Sequence, residues 1–323
     1  MDEFSFIESI QQHYYRQSTL AKGVGDDAAV FSPMGNDVVT AKDMFVENIH
    51  FAKHTMTPFQ IGYKALAANI SDMAAMGAKP VFYLVGITIS KDWLMEDILK
   101  IYTGMKSLAD QFKMDLIGGD TVAGKELVVS VTIIGYVDKE KARYRNLARE
   151  GDVVFATGTL GDSQAGLHIL NNPGEYLAQE FFIRRHQLPT PRVEFSCALE
   201  SISRLSLNDI SDGIASEANE IAQASGVSIE IYEDKLPIHP AFKQFPFEYQ
   251  FKWKLFGGED YEILGTVPKK HWMTVKEIAD KMNMLVTDIG LVTPPKASGH
   301  VLLKRINGKI EQLEKKGYNH LSR

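Results

Sequence analysis

The 323-residue chain contains a single cysteine, Cys197. One thiol cannot close a disulfide within the chain or supply a cysteine-rich zinc site. It lies in an apolar helical run with Val193, Phe195, Ala198 and Leu199, which reads as inert core. No apolar run reaches the roughly eighteen residues of a membrane span. The opening MDEFSFIESI lacks the basic region and apolar stretch of a secretion signal. Excess positive charge is also missing. The net charge is −6 and the pI about 5.9, with no basic stripe of the kind that binds nucleic acid. Together these absences describe a cytoplasmic chain. No solenoid repeat or low-complexity segment interrupts it. At 45% hydrophobic and 24% charged, the composition is that of a globular protein whose length suits two full cores.

Carboxylates beside Gly or Ser, or at the ends of apolar runs, recur along the chain. They are Gly25-Asp-Asp27, Lys42-Asp43, Asn69-Ile-Ser-Asp72, Gly118-Gly-Asp120 and Asp209-Ile-Ser-Asp-Gly213. Backbone N–H groups are free at such places. If the five motifs converge, their mutual repulsion is relieved by hard divalent cations, which usually accompany a polyphosphate.

The apolar pattern orders the chain. Phe4 to Tyr15 has helical spacing, and strands are expected at Ala28–Ser32 and Asp37–Val46. Thr57 caps a helix that Pro58 opens and that runs through Ala75. A strand at Val81–Ile89, a helix at Trp93–Phe112, a short strand at Met114–Ile117 and a long one at Leu127–Val137 complete a β-β-α-β-α-β-β half. The charged segment 138–152 marks a boundary, placing domains at 1–140 and 141–323. Beyond it, strands at Asp152–Thr157, Ser206–Ile210, Val227–Tyr232, Tyr261–Val267 and Leu285–Val292 alternate with helices, before two last strands. The stretch Leu236–Phe256 is Pro- and aromatic-rich and reads as a loop with a short helix. The fold class is mixed α/β layers.

Each motif has a plainer reading beside the functional one. Gly119 to Lys125 looks like a P-loop, but Glu126 stands where Ser or Thr must hold magnesium, and a strand follows instead of a helix. Gly118-Gly-Asp120 is either a turn or a ligand-facing loop. Asn69 and Asp72 share one helix face, among alanines that let other backbone pack closely. A buried unpaired Asp is costly there, which favours a metal or polar partner over a solvated face. Read alone, Asp26-Asp27 is better taken as a turn. Asp209 and Ser211 lie on one side of an extended segment that leads into a helix start, where phosphate is favoured. A cap explains Asp212 but leaves Asp209 unused. His50 and His54 are four apart, yet without a neighbouring Glu they read as polar surface before zinc. Gly257-Gly-Glu-Asp-Tyr261 is a turn, or presents Glu259 or Asp260 to a ligand.

Taken in order, the segments GVGDDAAVF, NIHF, YKALAANISDMAAMGAKP, LIGGDT, TGTLGDSQAGL, NDISDGI, GGEDYE and KGYNH resemble the thiamine-monophosphate kinase family. They cover nearly the whole chain. The family is similar in fold to aminoimidazole ribonucleotide synthetase, with an N-terminal mixed-sheet domain and a C-terminal α/β domain. The resemblance implies a homodimer built on N-terminal strands. It also implies ATP-dependent phosphorylation of thiamine monophosphate to thiamine diphosphate, with several Mg²⁺ ions. Matching positions suggest Asp27, Asp43, Asp72, Asp120 and Asp209 as metal ligands, and Asp212 on a further metal. Gly119, Asp120, Arg145 and Ser211 match nucleotide contacts, and His50, Glu259 and Tyr318 match contacts to the acceptor. Where the family often has Ser-Thr-Asp, this chain has Ala41-Lys42-Asp43. The hydroxyl contacts there are lost or pass to backbone, as at Lys42, whose side chain could instead meet a phosphate. No general base is required, because a phosphate monoester with a second pKa near ~6 is already a dianion at neutral pH. The alternatives are another synthetase of the superfamily, acting on an amide or selenide, and a non-catalytic nucleotide- or metal-binding protein. The lack of a reactive Cys near the N-terminus disfavours the selenide case.

Overall fold

The computed structural model describes residues 35–296 and 300–316, together with the strands at 20–22 and 29–31. The helical segment expected at Phe4–Tyr15 lies outside them. Two sheets organise the chain. The first has strand order β1-β2-β3-β6-β4-β5: Leu20–Lys22, Ala29–Phe31, Asn36–Val46, Val128–Asp138, Lys79–Ile89 and Asp115–Ala123. Its pairs are antiparallel except β4 with β5. The second has order β13-β12-β9-β11-β7-β10-β8: Ile310–Gln312, Val301–Lys304, Ser228–Tyr232, Val286–Thr293, Asp152–Thr157, Ile263–Pro268 and Ser206–Asp209.

Helix α1 (Pro58–Ala75) is the element that joins the sheets. Its start is a capping box: Gln60 N–H donates to Thr57 Oγ1, and Thr57 N–H to Gln60 Oε1 at 2.8 Å. No acidic residue marks the first turn of α1 and no basic residue its last, and it is buried on nearly every side, as small alanines permit. It packs on β3 and β6 of the first sheet, on β8 of the second, and on α2 (Met95–Phe112). Glycines bring α1 and α2 into backbone contact. A methyl group added at Gly104 would lie 1.9 Å from the Phe59 carbonyl oxygen. One apolar core runs through both sheets, from Val39, Ile70 and Val131 to Phe155, Phe195 and Ile263.

Strand β7 is buried along its whole length. Val153 and Phe155 face the shared core, while Val154 and Ala156 face a second core with α6 (Ile214–Ser225). Short helices α3 (Asp162–Asn171), α4 (Gln179–Gln187) and α5 (Val193–Ala198) follow β7, and α8 (Trp272–Lys281) follows β10. One expectation needs correction. The strand expected to stop at Ile117 continues as β5 to Ala123, because Gly118 to Ala123 pair in parallel with Leu84 to Ile89. The segment 236–256 is, as expected, a loop with a short helix. It carries a ten-residue helix, α7 (Phe247–Phe256), whose Trp253 joins an aromatic cluster with Phe182, Phe242 and Phe245. No helix of the described residues is long and apolar enough to cross a membrane.

Candidate active site

Three fully buried polar residues of α1 each grip a different part of the chain. Asn69 Oδ1 accepts from the Asp43 backbone N–H at 3.2 Å, which fixes that point of β3. Ser71 Oγ donates to Asp209 Oδ2 at 2.7 Å, at the end of β8. Lys64 Nζ donates to Glu259 Oε2 at 2.8 Å, in the loop before β10. Asp72 is half-buried, one residue beyond Ser71. Sequence alone shows the small-residue, charge-poor character of α1 but not this division of labour, because the partners lie far away in the chain.

The segments 209–213 and 258–262 lie against each other. Glu259 N–H donates to Ser211 O at 2.7 Å, Tyr261 N–H to Ile210 O at 2.9 Å, and Ile210 N–H to Glu262 O at 2.7 Å. Glu259 and Tyr261 take left-handed φ values of 66° and 49°, a conformation that non-glycine residues rarely adopt outside functional or tightly held loops. Burial first, then the charges of Glu259, Asp43, Asp209 and Asp212, hold the Tyr261 phenol well above its usual pKa. All four carboxylates thus act on the Tyr261 phenol. Burial, with Asp212 and Glu220 nearby, likewise pushes Glu217 well above the usual carboxylate range. Its Oε1 accepts from the Asp212 N–H.

This donor set consists of oxygens, mostly carboxylate, which suits a hard divalent cation. Among the described residues, no three His, Cys, Asp or Glu side chains form a ready-made ligand group. The residues fit cations that arrive with a polyphosphate better than a closed all-protein cage.

Arg145 stands beside this acidic region. Its guanidinium is 3.0 Å from Glu220 Oε2 and donates to Asn208 Oδ1 at 3.0 Å. Glu220 also pairs with Lys315 at 2.7 Å, near the C-terminal tail. On the first sheet, Gly118, Gly119, Asp120 and Thr121 of β5 line an open cleft of about 480 Å³ with Val85, Leu116 and Tyr102. Gly119 is required by the sheet itself, since a methyl there would lie 2.0 Å from the Val85 carbonyl oxygen. Asp120 is exposed, and its Oδ1 accepts from the Thr121 N–H at 2.9 Å.

The other flank of the acidic region is held by Lys64. Beyond Glu259, its Nζ is 3.3 Å from His186 Nδ1 and 5.9 Å from the centre of the Phe45 ring. The Phe45 ring in turn packs on His50, centroid to centroid 5.3 Å, and His50 Nδ1 accepts from Val46 N–H at 3.0 Å. His50 and Glu259 thus lie along one chain of contacts. His54 stands apart and hydrogen-bonds Asn171. Asp260 has a different task from its neighbour. It is buried and accepts from Gly161 N–H at 2.6 Å and Ser163 N–H at 3.1 Å, at the start of α3. Burial, then the adjacent Asp162, pushes its pKa up to about 8. Of the two acids left open by the sequence, Glu259 is the one presented outward.

Asp43, Asp209, Asp212, Ser211 and Glu259 are therefore brought to one locality, with Arg145 at its border through Asn208. Asp120 and Gly119 belong to the cleft at the sheet edge. Lys42 is exposed and leaves β3 on the face opposite Asp43; its backbone lies in the β3–β6 ladder opposite Thr132. The phosphate contact considered for its side chain is not directed toward this cluster. Asp27 and Tyr318 lie outside the described residues. Sequence reasoning missed Lys64, Phe45, Tyr102 and Glu220. A lone lysine in an alanine-rich helix whose one other charge is Asp72 was a readable signal for Lys64, whereas Tyr102 and Glu220 sit on ordinary amphipathic helices.

Known proteins are similar to this chain over nearly its whole length. The families described as AIR synthase related protein, N-terminal domain and C-terminal domain match residues 25–137 and 149–302. Thiamine-monophosphate kinase of Bacillus subtilis is 44% identical over 326 aligned residues, covering 99% of both chains. A solved structure of AaThiL complexed with AMPPCP and TMP is 31% identical with a TM-score of 0.83, covering 99% of this chain and 97% of that one. The crystal structure of thiamine-monophosphate kinase from Stenotrophomonas maltophilia is 30% identical with a TM-score of 0.78, covering 95% of this chain and 97% of that one. With a relative of such identity matched from end to end, the chain belongs to the thiamine-monophosphate kinase family, within the AIR synthase related proteins.

Proposed function

We propose that this protein transfers the terminal phosphoryl group of ATP to thiamine monophosphate, giving thiamine diphosphate and ADP by direct in-line transfer. The observation that carries this reading is the packing of segment 209–213 on 258–262 beside α1, which holds Asp209 through Ser71 and the Asp43 backbone through Asn69, in a chain related to thiamine-monophosphate kinases over its full length. The relative bound to AMPPCP and TMP supports placing donor and acceptor side by side.

The acceptor phosphate is its own nucleophile, so the chain's task is to bring two anions together and align them. Ser71 fixes the rotamer of Asp209, and Asn69 fixes the backbone that carries Asp43. We assign these two, with Asp27, Asp72 and Asp120, to Mg²⁺, Asp212 to a further ion, and the Lys42 backbone to the same region. When bound, Mg²⁺ supplies charge neutralisation between the phosphates. Arg145, clamped by Glu220 and Asn208, provides a fixed cation for the nucleotide phosphates. Ser211 lies just ahead of α6 on the same side. Gly119 and Asp120, with Tyr102 opposite, form the nucleotide cleft. His50, Glu259 and Tyr318 hold the acceptor, where the Glu259 carboxylate complements the positive thiazolium.

We further assign a division near residue 140 and a homodimer formed through the first sheet. Every residue of β5 is exposed, including Leu116, Ile117 and Val122. A long apolar edge strand of this kind is normally covered by another chain.

The test combines ATP, Mg²⁺ and the protein with or without thiamine monophosphate. Thiamine diphosphate should form only in the complete mixture. ATP consumption without that product would favour a synthetase, and no consumption a binding protein.

A further inference from the structure

We propose that Lys64 is a positioning residue for the acceptor: from inside α1 it sets the place of the Glu259 carboxylate relative to Asp209 and Asp43. The inference rests on the reading of Glu259 as an acceptor contact.

The pair is asymmetric. The Lys64 side chain is fully buried, while that of Glu259 is 21% exposed. An ammonium cannot stay charged in such a place without an anion beside it. Burial lowers the Lys64 pKa, and Glu259 acts against that shift as the largest opposing cause. The other close groups supply no charge. His186 is held well below its usual pKa by burial and by Lys64 itself, so its imidazole is neutral. Its Nδ1 faces both Lys64 Nζ and Ser163 Oγ, the latter at 3.0 Å. Phe45 offers only its ring face.

The Glu259 backbone is already fixed, at φ 66° and by its N–H bond to Ser211 O. Only the side-chain torsions remain, and the 2.8 Å bond to Lys64 sets those. It engages Oε2 and leaves Oε1 for a ligand. Ser71 lies seven residues, or two turns, beyond Lys64 on the same helix face. One rigid, buried helix therefore spaces the acceptor carboxylate from the carboxylate assigned to the donor side. Misplacement by about 1 Å at such a spacing is enough to slow a positioned transfer on the order of a hundredfold.

The experiment compares E259Q, K64M and K64M/E259Q by steady-state kinetics in both substrates and by thermal melting. E259Q should raise the KM for thiamine monophosphate about tenfold and leave the KM for ATP within about twofold. It should also lower the melting temperature, because it strips Lys64 of its charge partner. In that background Lys64 has no carboxylate to place, so K64M/E259Q should match E259Q in acceptor KM within about twofold while regaining melting temperature. K64M alone should reproduce the acceptor defect of E259Q. If K64M does not fold, the comparison of E259Q with the double variant decides. A further rise in acceptor KM in the double variant beyond about twofold, or a folded K64M with native acceptor KM beside a defective E259Q, overturns the positioning role. So does an equal rise in both KM values. A native acceptor KM in E259Q overturns the assignment of Glu259 itself, and the inference with it, while leaving the phosphoryl-transfer assay of the native protein untouched.

Discussion

Replacing Ser71 with Ala removes one hydroxyl from the junction between α1 and β8. Ser71 and Asp209 are 0% and 2% exposed, and their hydrogen bond is 2.7 Å. A hydrogen bond to a charged group contributes about 1.5–3 kcal/mol. Loss of a partner that orients a metal-bound carboxylate costs about 10–100-fold in metal affinity or activity. Since tenfold corresponds to about 1.4 kcal/mol, the two estimates coincide. Ser71→Ala should therefore shift the dependence of the rate on free Mg²⁺ upward by about 10–100-fold, with the KM for thiamine monophosphate nearly unchanged. The assay is the initial rate of thiamine diphosphate formation against free Mg²⁺ at saturating substrates. Ser196 is the control: its hydroxyl is equally buried and has no hydrogen-bond partner among the described residues. Ser196→Ala should leave the Mg²⁺ curve in place. A folded Ser71→Ala protein whose Mg²⁺ curve matches that of the Ser196→Ala control would refute the argument that Asp209 is a metal carboxylate oriented from α1.

Exposure, not distance, should decide the worth of ion pairs here. Glu262 is fully buried and receives Arg185 at 2.7 Å, Arg192 Nε at 2.7 Å and Thr157 at 2.6 Å. Glu262→Ala strands the Arg192 guanidinium, leaves Arg185 only the Asp260 carbonyl and a 3.8 Å pair with Asp162, and should cost about 3–5 kcal/mol. Asp110→Ala breaks an exposed 2.6 Å pair with Lys106 and should cost under about 1 kcal/mol; equal losses in chemical denaturation would contradict this. Two buried acids give the stability a pH slope. Burial first pushes Asp162 up to about 6 and Asp260 to about 8. An acid with a raised folded pKa stabilises fully below its unfolded value near ~4 and loses that contribution as pH rises through its folded value. The melting temperature should therefore fall from about pH 4 upward, with both acids contributing up to about pH 6 and Asp260 alone from there to about pH 8. Asp260→Asn should flatten the upper part, and a curve merely parallel to the native one would count against it. Gly104→Ala forces a methyl toward the Phe59 carbonyl oxygen and should destabilise by about 1–3 kcal/mol through overpacking. A neutral or stabilising effect, as expected from helix propensity alone, would show that α1 and α2 can move apart without penalty.

Much of the architecture was readable in the chain because it depends on local periodicity. Thr57-Pro58 marked the start of α1, and the β-branched run at 127–137 marked β6. The strand β5 was read too short, because glycines at 118 and 119 signal a turn locally but here allow close pairing with β4. The short helix expected within 236–256 is present as 247–256, while the satellite aromatic core that its composition reflects was not read from the sequence. For the site, the acidic motifs and their order carried the family resemblance, and the structure ties Asp43 and Asp209 to α1 through Asn69 and Ser71. Which of Glu259 and Asp260 faces outward was not legible, since alternate residues of an irregular loop have no fixed face.

The sequence by itself therefore determined the class of chemistry: many aspartates beside small residues, no nucleophile, no P-loop, and the family to which that order belongs. Only the tertiary structure decided the partners of those aspartates. Asn69, Ser71 and Lys64 meet groups 26, 138 and 195 positions away, and such pairings are set by how two sheets close on one buried helix. Periodicity reports which face of an element is apolar; it does not report what another element brings to that face.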